Sequence, residues 1–155
     1  MRILGKSAMH FLRKNVWMGF ALIYLIAALL PGSLWQNPGQ LEVADTRQGE
    51  EIHLLFDGGP IRPFFGSYTV TLRDFSGGKI VCEASGGPFN YVPGSQRPET
   101  ITMEWWAPSD RRCWRPPVGT YSLETCWEVH GPLWGLVPSK RVCAPRAAFT
   151  VAPAE

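Results

Sequence analysis

A long uncharged stretch near the N-terminus limits what this chain can fold into more than any other feature. No Asp, Glu, Lys or Arg occurs between Asn15 and Leu41, and Val16–Leu30 is almost wholly apolar. Extended to Trp35, the stretch has 20 residues, and as a helix it would span about 30 Å, the thickness of a bilayer's hydrocarbon core. The sequence therefore predicts a transmembrane signal-anchor helix over residues 16–35.

The residues that flank this stretch predict an orientation. Trp17 and Trp35 fall near its two ends, where indole rings favour the boundary between lipid and water. Arg13 and Lys14 come directly before it, and residues 1–15 carry four basic side chains and no acid. The positive-inside rule then predicts a cytoplasmic basic tail over 1–15 and a periplasmic or otherwise extracytoplasmic C-terminal domain. The predicted protein is a single-pass protein of the inner membrane.

A cleaved signal peptide is the alternative interpretation of the same segment. It would also begin with basic residues and continue with an apolar run. The residues Pro31–Trp35 provide no good pair of small residues for cleavage, which favours a retained anchor. The strictly apolar run of Val16–Leu30 is nevertheless short for a membrane span. Both interpretations therefore stay open.

The rest of the chain has the composition of a small β domain. All 14 prolines and 14 of the 16 glycines lie beyond residue 30, which is typical of many short strands joined by turns. We predict a linker over 36–49 and a β domain over 50–155. The 140 residues after residue 15 carry 11 basic and 13 acidic side chains, so nothing in them predicts a nucleic-acid partner.

Period-two alternation of apolar and polar residues places the strands. In Gly119–His130, the residues Tyr121, Leu123, Trp127 and Val129 share one face with Thr125, and Cys126 lies on the other face. The full set of predicted strands is Glu51–Phe56, Ser67–Arg73, Lys79–Ala84, Thr100–Trp105, Gly119–His130 and Arg141–Val151, the last with a proline, Pro145, that can interrupt it.

The four cysteines predict two disulfides in an exported domain. Cys126 and Cys143 are equidistant from the centre of the loop that follows Gly131, so a symmetric hairpin would place them opposite each other. This favours a Cys126–Cys143 bridge and leaves Cys82–Cys113 by elimination. The other two connectivities stay open at this stage.

The segment Pro117–Leu123 resembles the entry to a late strand of immunoglobulin-like and fibronectin-type sandwiches. The resemblance implies a small β-sandwich of about seven strands, in which Tyr121 bonds back to the preceding loop. The Cys–Trp–Cys arrangement of immunoglobulin domains is not reproduced, because Tyr121 and Cys126 are five residues apart and face opposite ways. The resemblance therefore implies a fold and carries no function.

The sequence holds no pattern typical of catalysis or of metal binding. Its three histidines, His10, His53 and His130, are far apart, and neither a Cys-x-x-Cys pair nor a paired-histidine motif occurs. No nucleophile elbow or phosphate-binding loop is present. We therefore predict a protein that is not an enzyme and that uses no metal or cofactor.

Five tryptophans and a cluster of arginines are the remaining features that bear on function. Trp105 and Trp127 share faces with aliphatic residues and are predicted in the core, whereas Trp134 sits at a hairpin tip. Trp and Arg concentrate binding energy at interfaces. The competing interpretation is that Trp134 folds back over the sheet and that the arginine loop is merely solvated. The predicted contact surface consists of Trp106, Trp114, Leu133, Trp134, Arg111, Arg112 and Arg115.

Two functions from different classes fit these features. The first is an accessory protein that sits in the bilayer and docks its β domain on partner proteins in a larger membrane or envelope complex, without catalysis of its own. The alternative is an exported module that binds glycans or the cell wall and has a cleaved signal peptide, because exposed tryptophans can stack on sugar rings.

Overall fold

The structure, a computed structural model, describes residues 4–95, 100–133 and 135–154, and side chains in those ranges from Val16 onward. Two helices, two short 3-10 turns and eleven strands form in these ranges. The helices are α1 (Leu4–Leu29) and α2 (Met103–Trp106), and the 3-10 turns are Gly32–Leu34 and Arg111–Cys113. The strands are β1 (Gln36–Asn37), β2 (Leu41–Val43), β3 (Thr46–Arg47), β4 (His53–Phe56), β5 (Gly59–Pro60), β6 (Phe64–Asp74), β7 (Ile80–Tyr91), β8 (Ile101–Thr102), β9 (Gly119–Val129), β10 (Lys140–Cys143) and β11 (Ala147–Ala152).

The strands form one large sheet and two small ones. The large sheet has the order β3-β11-β9-β6-β7, with β10 also paired to β9. The second sheet has the order β2-β4-β8, and β1 pairs with β5 separately. The main core lies between the first two sheets, with Leu72 and Leu123 from the large sheet packed in one cluster with Ile52 and Leu54. The prediction of a mainly β, disulfide-bonded domain is confirmed, with eleven described strands where about seven were expected.

The long strand β9 follows its sequence pattern. Tyr121, Leu123, Thr125, Trp127 and Val129 are all buried on the predicted face. The hydroxyl of Tyr121 donates a hydrogen bond to the carbonyl of Pro117 at 2.7 Å, as the resemblance to immunoglobulin-like domains implies. The pattern succeeds here because the three strands that pair with β9 (β6, β10 and β11) all do so antiparallel in regular register.

Both disulfides have the predicted connectivity. Cys126 and Cys143 are opposite each other in the β9–β10 pair and are bonded. The second bridge joins Cys82 on β7 to Cys113 in a 3-10 turn. Sequence separations of 17 and 31 residues mean that the bridges close two different loops of the domain.

The segment predicted as a linker over 36–49 instead belongs to the domain. It holds β1, β2 and β3, which pair with β5, β4 and β11 respectively. Leu41 is buried in the main core. The turn Asn37-Pro38-Gly39 and the mixed polar residues after it suggested an extended spacer, but backbone pairing with three other strands decides the conformation of this segment.

The helix α1 ends earlier than predicted, and its C-terminal end packs on the β domain. It stops at Leu29, before Pro31, and not at Trp35. Trp35 is 3 % exposed and packs with Phe64, Val129 and Val137 in a second apolar cluster. The prediction that Trp35 lies at a membrane boundary is therefore wrong, because the domain's own apolar side chains enclose its ring.

The transmembrane helix predicted over 16–35 is not confirmed. Among the residues that the structure describes, no helix is both long enough and apolar enough to cross a membrane. Trp17 is exposed on α1. Arg13 and Lys14 lie within the backbone of α1, and their side chains lie outside the described ones.

Candidate functional site

The short helix α2 decides which tryptophan is buried and which is exposed. Ile101, Met103 and Trp105 alternate in the sequence and predict a strand over Thr100–Trp105, but the chain turns into a helix at Met103. The side chain of Thr102 caps that helix by accepting a hydrogen bond from the backbone N–H of Trp105. One helical turn then places Met103 and Trp106 on the inner face.

The exposures of the two adjacent tryptophans are consequently the reverse of the prediction. Trp105 is 53 % exposed, whereas Trp106 is 6 % exposed. The indole N–H of Trp106 donates to the hydroxyl of Thr125 on β9 at 2.9 Å. Trp106 is therefore an anchor of α2 on the large sheet, and Trp105 is the ring that the helix presents outward.

Aromatic rings from separate elements surround Trp106. Tyr68 on β6 lies opposite Trp127 on β9, and Phe56 at the end of β4 stacks on Trp127 with ring centres 5.1 Å apart. The Trp106 ring centre lies 5.5 Å from that of Phe56 and 5.9 Å from that of Tyr68. These rings form the wall of a half-open cavity of about 730 Å³, which we call the aromatic cleft.

The aromatic cleft is lined by residues of several strands and of α2. Most of its lining residues carry flat rings, and a few carry amide, hydroxyl or carboxylate groups. They are Gln36, Phe56, Gly59, Pro60, Tyr68, Phe89, Asn90, Tyr91, Ser95, Glu104, Trp105, Trp106, Pro108, Trp114 and Trp127. A volume of this size lies in the range of small-molecule binding sites in proteins.

Gly86 on β7 makes room for the wall of the cleft. It pairs with Tyr68 across the sheet, and a Cβ atom at position 86 would clash with the Tyr68 ring. The Tyr68 ring can therefore lie flat over β7, where it stacks loosely on Phe89 at 6.3 Å between ring centres. A side chain larger than hydrogen at this position would displace the ring.

Two polar atoms in the cleft have no hydrogen-bond partner among the described residues. They are the side-chain oxygen of Gln36 and the hydroxyl of Tyr91. Gln36 is 1 % exposed, and its amide nitrogen already donates to the carbonyl of Asn37 at 3.0 Å. Buried polar atoms without partners are rare in proteins because each costs free energy. Both atoms lie behind the wall of the cleft, where the protein itself encloses them.

The two tyrosines of the cleft are neutral at physiological pH. Burial, and to a lesser extent the neighbouring Tyr68, raises the pKa of Tyr91 to about 12. Burial also raises the pKa of Tyr68. A neutral phenol can both donate and accept a hydrogen bond. The two tyrosines therefore add no charge to the cleft.

The predicted arginine loop lies beside the cleft, and most of its groups contact one another. Arg112 forms an ion pair with Asp110 at 2.7 Å, and the Arg111 guanidinium lies 5.6 Å from the centre of the Trp114 ring. The hydrogen bond from Arg112 is the largest of the effects that lower the pKa of Asp110 to about 2. Arg115 is exposed. This is the pattern expected of a loop that is held by internal contacts.

The remaining predicted contact residues are divided between the cleft and the hairpin tip. Trp114 is half-buried at the edge of the cleft, where its indole N–H donates to the carbonyl of Ala107 at 2.9 Å. Leu133 is exposed in the β9–β10 loop. Trp134 lies outside the described residues. The structure thus brings Trp106 and Trp114 together in one site and leaves Leu133 in another.

One group of possible metal ligands occurs among the described residues. Cys82, Asp110 and Cys113 have side-chain ligand atoms within 4.8 Å of one another. Cys82 and Cys113 are joined in a disulfide, so neither offers a thiolate. The closeness of these three residues is explained by the bridge and carries no metal assignment.

Neither comparison with known proteins identifies a family for this chain. No protein-family model matches the sequence, and no curated protein is similar enough to it to count as a relative.

Proposed function

We propose that this chain is a non-catalytic binding module of a membrane or envelope surface, and that the aromatic cleft is its ligand site. The observation that carries the proposal is the Trp105 ring, which is 53 % exposed at the rim of a cavity of about 730 Å³ lined mainly by aromatic rings. A ring left half in water adds little to the stability of the fold, whereas a binding site gains contact area from it.

Export to an oxidising compartment is supported by the two disulfides. All four cysteines are paired, and such bridges form and persist outside the cytoplasm. On this proposal the β domain, with its immunoglobulin-like resemblance at Pro117–Leu123, is periplasmic or otherwise extracytoplasmic.

Residence at a membrane is supported by the surface of α1. From Val16 to Leu29 the helix exposes large apolar side chains, among them Trp17, Phe20 and Ile23. A helix that is apolar on all sides is stable only when something other than water covers it. We propose that lipid covers it, with the basic residues Arg13 and Lys14 on the cytoplasmic side.

The intact mass of the protein extracted from membranes tests the anchor. We expect a mass that includes residues 1–30 and a protein that resists extraction with alkaline carbonate. A mass that begins after Leu30 would show that the segment is a cleaved signal peptide. That result would remove the anchor from the proposal and leave the cleft untouched.

Photocrosslinking tests the cleft as a ligand site. A photoreactive amino acid replaces Asn90, which is exposed and lines the cleft, so that every ring of the cleft is kept, in the full chain in its native membrane. The matched control places the same group at Phe75, which is 63 % exposed and does not line the cleft. We expect a discrete adduct from position 90 and none from position 75. Equal labelling at both positions, or no adduct at either, would contradict the proposal.

Protein docking through the β9–β10 loop is a second candidate function. Leu133 has a φ of 54°, a left-handed conformation that costs a non-glycine residue about 1 kcal/mol. Both Leu133 and Leu136 are exposed. An exposed leucine held in an unfavourable conformation, near a second exposed leucine, favours a contact with a partner in a larger membrane complex.

Replacing Leu133 with glycine separates this role from a structural one. The variant relieves the left-handed strain, so we expect the same or a higher melting temperature. Recovery of partner proteins by the full chain should nevertheless fall if the loop is a docking site. Unchanged recovery, with Val118→Ala as the exposed apolar control, would remove the loop from the proposal.

A further inference from the structure

The junction between α1 and the β domain has no free spacer. Side chains at positions 16–26 are all exposed, whereas Ala27 and Leu30 pack against the apolar cluster around Trp35. The 3-10 turn Gly32–Leu34 then leads directly into β1. The helix therefore projects from the domain, and its last turn is already in contact with the domain.

Two contacts hold the end of α1 on β10. The ammonium group of Lys140 donates a hydrogen bond to the carbonyl oxygen of Ala28, which places a positive charge at the negative end of the helix dipole. Gly32 lies against Val142, and a Cβ atom at position 32 would clash with that valine side chain. A β-branched side chain has little rotational freedom to give way. The domain is consequently held close against the helix end.

Four large apolar side chains beside this junction are between 47 % and 61 % exposed. We call them the apolar rim; they are Ile61, Phe65, Leu133 and Leu136. The backbone N–H of Ile61 donates to the carbonyl of Trp35 at 2.7 Å. The loop that holds both leucines begins after His130, whose backbone N–H donates to the carbonyl of Phe65 at 2.8 Å. It ends at Val137, which packs in the cluster around Trp35.

Exposure alone does not identify what covers the apolar rim. Phe75, next to the opposite end of β6, is 63 % exposed as well. The apolar rim differs from it by its continuity with α1. Leu29, the last residue of the helix, is 77 % exposed. Whatever covers the apolar surface of α1 as far as Leu29 therefore also reaches the domain surface on which Leu30 packs.

Basic side chains accompany the apolar rim. Arg62 follows Ile61 in the chain and is exposed, and Arg141 is exposed on β10. Glu128 lies opposite Arg141 in the β9–β10 pair and offsets part of this charge. Arginines beside apolar side chains suit the boundary between lipid headgroups and acyl chains, because their stems lie along apolar surface while their charged ends stay in water.

We infer that the apolar rim enters the surface of the phospholipid bilayer that covers α1, so that the β domain lies directly on the membrane. The inference rests on the proposed function, because it requires lipid around α1. Amphipathic protein surfaces enter the boundary between headgroups and acyl chains by about 5–10 Å. The competing outcome is that the β9–β10 loop docks on a partner protein instead.

Quenching by lipid-attached nitroxides tests the inference. The full chain is reconstituted in vesicles of phosphatidylcholine with a minority of phosphatidylglycerol. A fluorescent amino acid, which leaves both disulfides intact, replaces Ile61 or Leu136 in the rim, Phe20 in α1, or Phe75 as the exposed control. We expect headgroup nitroxides to quench positions 61 and 136 severalfold more than position 75. Nitroxides deep on the acyl chain should quench position 20.

A matched pair of glycine variants tests the contact that holds the rim down. Gly32→Ala should push the end of α1 off Val142, so quenching at positions 61 and 136 should fall severalfold while quenching at position 20 persists. Gly19→Ala is the control, because nothing lies near a Cβ atom at position 19. Equal quenching of the rim in the two variants would contradict the inferred role of the α1–β10 contact.

The four probe positions separate failure of the inference from failure of the proposed function. Quenching at position 20, with no more quenching at 61 and 136 than at 75, would overturn the inference and leave the anchor in place. If the rim probes were then shielded in the native membrane alone, a protein partner would cover the rim. No quenching at position 20 would overturn both the anchor and the inference. The photocrosslinking at position 90 reports on the cleft independently.

Discussion

One face of the large sheet carries two regions that differ in how they are closed. Towards one end, Val70 and Leu72 of β6 and Leu123 of β9 are fully buried in the main core. Further along the same strands, Tyr68 and Trp127 line the aromatic cleft. The strand pattern is continuous, so the difference comes from the cover. Aliphatic side chains of the smaller sheet fill the closed end, whereas rings of α2 cover the other end incompletely.

The two regions also differ in how they treat buried polar atoms. Thr125 and Gln36 are both at most 1 % exposed. The Thr125 hydroxyl accepts a hydrogen bond from Trp106, while the Gln36 oxygen has no partner among the described residues. A core that exists for stability satisfies such groups, because each orphan costs about 1–3 kcal/mol. The comparison teaches that the open end is built at some cost in stability.

Removing the bridge at the border of the two regions should have the largest effect. Cys82–Cys113 ties the turn that precedes Trp114 to the core strand β7. Its loop of 31 residues predicts a loss of about 4 kcal/mol in the free energy of unfolding for the Cys82→Ala/Cys113→Ala variant. Urea unfolding measures this loss.

The other bridge is the matched control for this prediction. Cys126–Cys143 closes a shorter loop of 17 residues, so its double alanine variant should lose about 3 kcal/mol. The yield of the photocrosslinked adduct at the cleft should fall more on loss of the first bridge, which holds Trp114 in place. A reversed order of adduct yields in the two variants would argue that the cleft does not depend on that turn.

The next largest difference in the free energy of unfolding should come from truncating one side chain at each end of this sheet face. Leu72→Ala leaves a cavity in the closed end and should cost about 3 kcal/mol in the free energy of unfolding. Trp105→Ala removes a larger side chain from the open end yet should cost less than about 1 kcal/mol, because half of it is already in water. Chemical denaturation of both variants checks the contrast. Equal losses would mean that the Trp105 ring supports the fold.

Substitutions of the two buried polar residues should differ in size. Thr125→Val keeps the shape of the side chain but leaves the Trp106 indole N–H without its acceptor, at a cost of about 2 kcal/mol. Gln36→Leu removes an acceptor that had no partner and also the bond from the amide nitrogen to the Asn37 carbonyl, so the two effects offset and the free energy of unfolding should change by less than about 1 kcal/mol. A loss in Gln36→Leu as large as that in Thr125→Val would indicate that Gln36 serves the fold.

The closed end was predictable from the sequence, because its signals are local. Alternation along Gly119–His130 fixes the buried face of β9, and the symmetry of the following loop places Cys126 opposite Cys143. Both arguments need only residues that are neighbours in one strand or one hairpin. The second bridge followed by elimination once the first was chosen.

The open end was not predictable, because its residues come together from distant segments. Gln36, Phe56, Tyr68, Tyr91 and Trp127 lie on five different strands. The segment that holds Gln36 was interpreted as a linker, since two-residue strands leave no periodic pattern. Nothing local distinguishes a glutamine that will be buried from one that will be solvated.

The exposures of Trp105 and Trp106 are the reverse of those predicted, and this error has a more local cause. Ile101, Met103 and Trp105 fit a strand, but a capping threonine followed by Glu104 also fits the first turn of a helix. A helix of only four residues makes about one turn. Its helical periodicity is therefore a weaker signal in the sequence than the alternation of apolar and polar residues before it. The cap was the signal that could have identified which tryptophan faces outward.

The smallest expected effect is a pH dependence in the loop that joins the two regions. Asp110 accepts hydrogen bonds from Arg112 and from the backbone N–H of Glu83 on β7. The Arg112 contact is the main cause that lowers the pKa of Asp110 from 3.8 to about 2. A carboxyl whose pKa is lower in the folded state stabilises the fold above its unfolded pKa. That contribution is lost as the pH falls from about 4 through about 2.

The variant Asp110→Asn isolates this contribution. Its melting temperature should lie slightly below that of the unaltered protein at pH 5, and the gap should close as the pH falls from 4 to 2. Because the pair lies at the surface, 1 M salt should also narrow the gap at pH 5. Melting curves across this pH range measure both trends. A gap that is constant with pH would mean that Asp110 acts through its backbone hydrogen bonds and not through its charge.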